Sequence, residues 1–414
     1  MSVTNDELRS EAPYAHEIDW PNGLGEFSIF DDDGSMAEPF EHYKYMRAHA
    51  PVLRVRYDGG EFWHLARYED VRKASRTPKV FGSQLEDPVP VTFLPLFDAP
   101  DHTRLRGAVA GAFNPKSIAL VEDRVRDCAD SLLGTYVDAG GGDITEQVAT
   151  PLTMTTIAAI LDIPADNIEQ LRHWSSMLLS VHRRSRGLPG TESDRETTAV
   201  FLDFIEANLE RLYRDESPSV GGHLARQWKS GGLATKEARE MCAFLFVAGH
   251  DTTTFLIGNA VRQLTESPEL LDRINSRPAD AELFVEELAR TRGTVHRTTR
   301  QTRTDVEMSG VTIPAGSMVR LLIASANRDE SKFANPDVFD IDRTNEGHFG
   351  FGFGVHSCIG APLARLETRI AVQCMARKIA RITLDPDNPM EMASGSGLTV
   401  GPRHLYGLVE RRHR

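Results

Sequence analysis

The string Phe351-Gly352-Phe353-Gly354-Val355-His356-Ser357-Cys358-Ile359-Gly360 sets one cysteine near the end of a glycine-punctuated loop. The residues that follow, Ala361 to Glu367, read as a helix start. Glycine lets a backbone bend tightly and pass close to something flat and bulky. A helix N-terminus just after a cysteine favours its thiolate, because unpaired amides and the helix dipole stabilise negative charge there. A poised thiolate in a shaped loop suits an axial ligand to iron. Other readings compete on these residues alone. The glycines space as G-x-G-x-G and lack the G-x-G-x-x-G order of a nucleotide loop. His356 and Cys358 make half a zinc site, but no C-x-x-C partner exists in the chain. A plain buried cysteine is the usual fate of a lone one.

Three further groups carry chemistry. Ala248-Gly249-His250-Asp251-Thr252-Thr253-Thr254 puts a glycine, an acid and three hydroxyls inside an otherwise apolar helical pattern. Buried hydroxyls can bond back to the i−4 carbonyl and bend a helix. The pattern reads either as a simple kink or as a groove where oxygen sits and protons arrive. His102 and Arg106 stand four apart on one helix face, where two donors can grip a carboxylate, or simply face solvent. Glu287 and Arg290 lie at i,i+3 and can meet as an ion pair.

These strings, in this order along the chain, resemble the cytochrome P-450 family, of the soluble bacterial type. The loop resembles the haem-binding F-G-x-G-x-H-x-C-x-G. Residues 98–106 resemble D-x-P-x-H-T-x-x-R, residues 248–253 A-G-x-[DE]-T-T, and residues 287–290 E-x-x-R. The resemblance implies a mainly α fold with a small β region. It would be a triangular single domain, with the haem between the long central helix and the cysteine-loop helix. It implies heme b, Cys358 as the iron ligand, and Asp251 and Thr252 as the catalytic acid–alcohol pair that brings protons to dioxygen. Haem contacts would come from His102, Arg106, Ala248, Gly249, Arg300, Phe351, Gly352, His356 and Gly360. Glu287 and Arg290 would brace the loop without a catalytic role. Arg343 is the candidate third partner, because Val338 occupies the arginine slot of the family's P-x-R-F form. Thr294 stands where the family usually has proline.

The implied activity is haem-thiolate monooxygenation of a small, largely apolar molecule, of terpenoid, steroid, polyketide or aromatic type. Electrons would come from a ferredoxin and its reductase, since no flavin or iron–sulfur motif is visible. Arg104, Arg365 and Arg369 form a candidate docking patch. Pocket candidates are Phe93, Leu94, Met177, Val181, Phe244, Val247, Ala248, Val295, Thr298 and Thr399. His296 and Arg297 are unusually polar for their segment, and read as propionate, surface or polar-substrate contacts. Two alternatives stay open: a peroxide-driven enzyme, or a non-catalytic haem- or partner-binding helper. Retention of Cys358, Asp251 and Thr252 argues against the helper.

Positioning these groups requires a particular set of elements. Helical periodicity is expected at 39–49, 68–74, 117–135, 146–162, 167–181, 195–214, 236–265, from 280, and at 362–379. Strands are expected at 51–55, 61–65, 294–300, 306–308, 311–316 and 318–323, with a β-like, irregular C-terminal stretch from 383 to 410. The hydrophilic connector 182–190 between two helices suits a mobile lid or an ordinary surface loop. Residues 1–35 read as a loosely structured segment and 36–414 as a single domain. A net charge of −13 without basic tracts excludes a nucleic-acid binder. Four scattered cysteines show no disulfide framework, which fits a cytoplasmic protein. No signal-peptide pattern opens the chain, and the longest apolar run is too short for a bilayer, so a monomer with no membrane partner is expected.

Overall fold

The computed structural model describes residues 12–21, 24–27, 38–57, 60–84, 92–164, 168–184, 192–344, 346–393 and 399–413, without the side chains of 179–184 and 192–195. Most of the connector 182–190 falls outside these residues, as does the Val181 side chain.

In chain order the elements are α1 (Phe40–His49), β1 (Val52–Tyr57), β2 (Gly60–Leu65), α2 (Tyr68–Arg76), β3 (Phe81–Gly82), α3 (Asp101–Ala110), α4 (Pro115–Asp138) and β4 (Gly141–Asp143). Then come α5 (Thr150–Leu161), α6 (Ile168–Arg184), α7 (Glu192–Arg214), α8 (Val220–Lys229), α9 (Thr235–Glu266), α10 (Glu269–Ser276) and α11 (Asp280–Arg292). The remainder is β5 (Thr298–Thr302), β6 (Val306–Met308), β7 (Val311–Ile313), β8 (Met318–Leu321), α12 (Ile323–Ala326), α13 (Ala361–Lys378), β9 (Ile379–Leu384), β10 (Glu391–Ala393), β11 (Gly401–His404) and β12 (Tyr406–Arg411). The chain is mainly helical with small sheets, as the sequence patterns predict.

Two compact units divide it. The first comprises residues 1–86, 286–358 and 392–401. Its centre is a five-stranded sheet ordered β1-β2-β8-β5-β3, in which β2 and β8 run parallel. Alternation along the strands feeds two cores. Trp63, Leu65, Val319 and Leu321 pack with Val71 and Ala74 of α2. Leu53 and Val55 pack with Tyr43 and Met46 of α1, and with Trp20 and Phe27 from the N-terminal segment. Strand β5 begins at Thr298, later than the alternation suggests. Before it, Val295 makes an isolated antiparallel bridge to Thr399, and the Thr294 carbonyl accepts from the Val400 amide at 2.8 Å.

The second unit comprises residues 87–285, 359–391 and 402–414. Helix α9 runs through it against α5, α7, α8 and α13. It is long and apolar enough by composition to cross a bilayer, but 67% of that window is buried within the protein, as befits a helix that is apolar on most faces. Its N-terminus is closed by Glu237, whose carboxylate accepts from the Ala234 amide at 2.9 Å. Asn114 caps α4 in the same way, accepting from Lys116 and Ser117 ahead of Pro115. Helices α8 and α10 have no counterpart in the sequence expectations: both are short, and α8 carries Gly221 and Gly222 in its first turn.

The pair Glu287–Arg290 has no exposure to water. Arg290 donates from Nε and Nη2 to the two Glu287 oxygens at 2.8 and 2.7 Å, and from Nη1 to the carbonyls of Asn327 and Pro336 at 2.8 Å each. Glu287 Oε1 also accepts from the Asp340 amide at 3.0 Å and from Arg343 Nε at 3.3 Å. Removing Arg290 leaves the buried Glu287 carboxylate with only the more distant Arg343 guanidinium and the Asp340 amide against its charge. Arg290→Ala is therefore expected to cost about 3–5 kcal/mol, read as a lowered midpoint in denaturant titration.

Candidate active site

In the first unit, the cysteine loop leaves α11 behind it and rests on the end of that helix. Gly350 lies so close that a Cβ there would sit 2.3 Å from the Ala289 carbonyl oxygen. Gly352 and Gly354 both have φ of +70°, the left-handed region that glycine enters without penalty. These bends let the Cys358 amide donate to the Phe351 carbonyl at 2.8 Å, closing the loop upon itself. Cys358 is exposed, Cys242 and Cys374 are buried and Cys128 is half-buried, and none of the four is in a disulfide. His356 bonds through Nε2 to Ser83 Oγ at 2.9 Å, joining the loop to the residue after β3. Arg300 is buried on β5 and donates to Thr298 Oγ1 at 3.0 Å and to the Thr299 carbonyl at 2.7 Å.

His296 and Arg297 are buried and lie beside residues of α1. The His296 ring lies 5.9 Å from Phe40, and burial raises the pKa of the Tyr43 hydroxyl, opposed by the charge of Arg297 and a hydrogen bond with it. Among pocket candidates, Val295 and Thr399 are brought together by their bridge.

In the second unit, the turn of α9 at 248–254 shows the back-bonding that its hydroxyls suggest. Thr252 Oγ1 donates to the Ala248 carbonyl at 3.0 Å and Thr253 Oγ1 to the Gly249 carbonyl at 3.1 Å. Asp251 and Thr252 are half-buried, on the partly open side of the helix. The opposite side is anchored: Thr254 shares a 2.7 Å bond with Thr153 of α5, and Gly249 faces Ile157. One and a half turns earlier, Phe244 meets Phe93 edge to face, with centroids 5.2 Å apart. Leu94 and Val247 are buried, and Met177 on α6 is half-buried. His102 is buried on α3 and Arg106 half-buried one turn on. Arg104 ties α3 to α9 through Glu237, at 2.5 Å. Gly360 is the N-cap residue of α13.

Three buried groups have no role in the sequence reading. Glu240 takes two bonds from Thr92, at 2.9 and 2.7 Å. Burial raises the pKa of Glu367 on α13 well above the ordinary carboxyl value, although a hydrogen bond with Thr156 opposes it. His250 bonds through Nε2 to Ser175 Oγ of α6 at 2.6 Å, and burial, aided by Arg172, pushes its pKa down to about 4. A polar residue within an apolar run is the only signal these positions carry. Among the described residues no group of three or more His, Cys, Asp or Glu side chains could hold a metal ion.

Comparison with known proteins agrees with this arrangement. The family pattern for cytochrome P450 matches residues 281–404. The erythromycin C-12 hydroxylase of Saccharopolyspora erythraea is 34% identical over 374 residues, which cover 88% of this chain and 92% of that one. The vitamin D(3) 25-hydroxylase of Pseudonocardia autotrophica is 33% identical over 349 residues, covering 81% and 84%. A solved structure of a P450 EryK mutant with erythromycin B superposes with a TM-score of 0.79 at 31% identity, covering 92% of this chain and 99% of that one. The chain belongs to the cytochrome P450 family of haem-dependent monooxygenases. Its relatives are bacterial oxidoreductases that act on organic substrates with dioxygen and redox partners.

The depressed pKa of His250 has a consequence for stability. A histidine held neutral in the fold contributes fully above its unfolded pKa, near 6.5. That contribution is lost as pH falls from 6.5 to about 4, because the unfolded chain takes the proton first. Unfolding free energy is expected to drop by about 1.4 kcal/mol per pH unit over this window on account of His250. His250→Gln should flatten the curve by that amount in denaturant titrations at stepped pH.

Proposed function

We propose that this protein is a haem-thiolate monooxygenase of secondary metabolism. It inserts one oxygen atom of dioxygen into a small, largely apolar organic molecule, with electrons from a ferredoxin and its reductase. It would carry heme b and work in the cytoplasm as a monomer. The observation that carries this reading is Cys358: an exposed cysteine at the closure of a loop held by two left-handed glycines. The donor set fits a haem. Cys358 offers a sulfur ligand, and Arg300 and His356 of the same unit offer cationic or hydrogen-bonding groups for propionates; on the family resemblance His102 and Arg106 would serve the same role. The named activities of relatives, on a macrolide and on a secosteroid, support an apolar substrate of terpenoid, steroid, polyketide or aromatic type.

Bound haem supplies the activation of dioxygen, with electron donation from the thiolate favouring O–O cleavage. The protein residues position and protonate. Cys358 would hold the iron, and Phe351 and the loop amides would shield the sulfur and adjust its potential. Thr252 donates its own proton to the Ala248 carbonyl, which leaves the Oγ1 lone pairs to accept from a second donor. Asp251, next to it and half-buried, can exchange protons with solvent and pass them on. Phe93, Leu94, Phe244 and Val247 keep bulk water from the substrate side of α9.

The reduced, carbon-monoxide-bound protein is expected to show the red-shifted Soret band of a thiolate-ligated haem, and Cys358→Ser to lose it. A normal histidine-type spectrum in folded wild-type protein would sink the reading. Thr252→Ala should reduce product formed with dioxygen and reductant by about 10-fold or more, while turnover with added peroxide persists.

For the electron donor, Arg104 and Arg369 already face acids: Glu237 and Asp101 for the former, Glu122 and Glu282 for the latter. Arg365 stands in the first turns of α13, directly after the cysteine loop. Arg365→Glu is expected to slow first-electron transfer from a ferredoxin in stopped-flow reduction; an unchanged rate would remove this residue from the docking surface.

A further inference from the structure

Glu240 is a carboxylate inside α9 with 5% exposure. Its neighbours along the helix, Met241, Cys242, Ala243 and Leu245, are all buried and apolar. A carboxylate in such surroundings has lost its hydration and needs donors in return. It finds them outside the helix, in the segment that enters the short turn Leu94–Leu96. Oε2 accepts from the Thr92 amide at 2.9 Å and from Thr92 Oγ1 at 2.7 Å. Two charge-assisted bonds from one residue fix both its place and its rotation. The next residue, Phe93, is 7% exposed and stands edge-on to Phe244 at an interplanar angle of 67°. Phe244 follows Glu240 by one helical turn, so the clamp and the aromatic contact arise from one face of α9.

We infer that Glu240 is a positioning residue for substrate selection. Its carboxylate fixes Thr92, and through Thr92 sets Phe93 against Phe244 as a rigid aromatic wall. The inference rests on the monooxygenase reading, in which Phe93 and Phe244 line the substrate side of α9. Glu240 itself touches no substrate and moves no proton. A wall that is already ordered spends no binding energy on arranging itself. It therefore favours flat, rigid apolar molecules that lie against aromatic rings. A loosened wall would yield to flexible chains, and the preference would shift toward them.

The test uses the full-length holoenzyme and four variants: Glu240→Ala, Glu240→Gln, Thr92→Val and Thr92→Ser. Amide hydrogen exchange over residues 92–97 reads the clamp without any haem chemistry. Glu240→Ala is expected to speed it by about 10-fold or more. Thr92→Val, which keeps the amide bond and loses the hydroxyl, should fall between, and Thr92→Ser should match the wild type. Dissociation constants for testosterone and for dodecanol, from haem spectral titration, read selection. Their ratio is expected to move at least about five-fold toward dodecanol in Glu240→Ala, and less in Glu240→Gln, with the carbon-monoxide spectrum unchanged. Unaltered exchange overturns the clamp. Accelerated exchange with an unmoved ratio, including failure of both probes to bind, overturns the selection role. Loss of the thiolate spectrum in the wild type overturns the underlying reading, and the exchange data tell that failure apart from failure of the clamp. Should Glu240→Ala not fold, Thr92→Val and Glu240→Gln carry the same comparison.

Discussion

A charge pair removed from water must be matched on every side, and Glu287 with Arg290 is matched by five other groups in the first unit. The carbonyls of Asn327, Pro336 and Val338, the Asp340 amide and the Arg343 guanidinium all converge on it. Those partners lie on both sides of the stretch 327–343, so the pair draws an otherwise irregular segment into one shape. The Asn327 side chain extends the arrangement, because its Oδ1 accepts from the Phe349 amide at 2.7 Å. The cysteine loop begins at that residue. Helix α11 thus serves the loop twice, through the ion pair and through the Ala289 carbonyl beneath Gly350. Such a pair contributes less to net stability than to the uniqueness of the arrangement around it, since an ion pair without water tolerates few alternatives.

The second unit solves a different problem. Helix α9 has to be buried and apolar to hold its unit together, yet carry an acid and hydroxyls at its middle. Packing on one side, through Thr254 to Thr153 and His250 to Ser175, holds the turn in place. Back-bonding by Thr252 and Thr253 satisfies their hydroxyls within the helix itself. The half-buried Asp251 and Thr252 are then left on the partly open side of the helix.

Much of this was legible in the sequence, and for a physical reason. Where chemistry needs particular residue types at fixed spacing, as at 351–360 and 248–254, the string itself carries the information. Helices with sustained periodicity, such as α4 and α9, were legible within a few residues. The eight-residue α10 and the glycine-bearing α8 offered too few turns to register. Long-range polar partnerships were not legible at all. Glu240 and Thr92 are 148 residues apart, and neither position announces a partner. His296 and Arg297 illustrate the same gap: their polarity was visible, but their burial beside Phe40 and Tyr43 of α1 was not.

The closed shape of the cysteine loop has a consequence for assembly. Its bends are secured by Ala289 from α11, by Ser83 after β3 and by Ser75 at the end of α2, whose carbonyl lies 2.5 Å from where a Cβ on Gly354 would be. Two of these three contacts come from the far end of the chain. Contacts so distant in sequence form late, after the intervening chain has been gathered. All three supports precede the cysteine in the chain, so the loop takes its shape from residues already made when it is added.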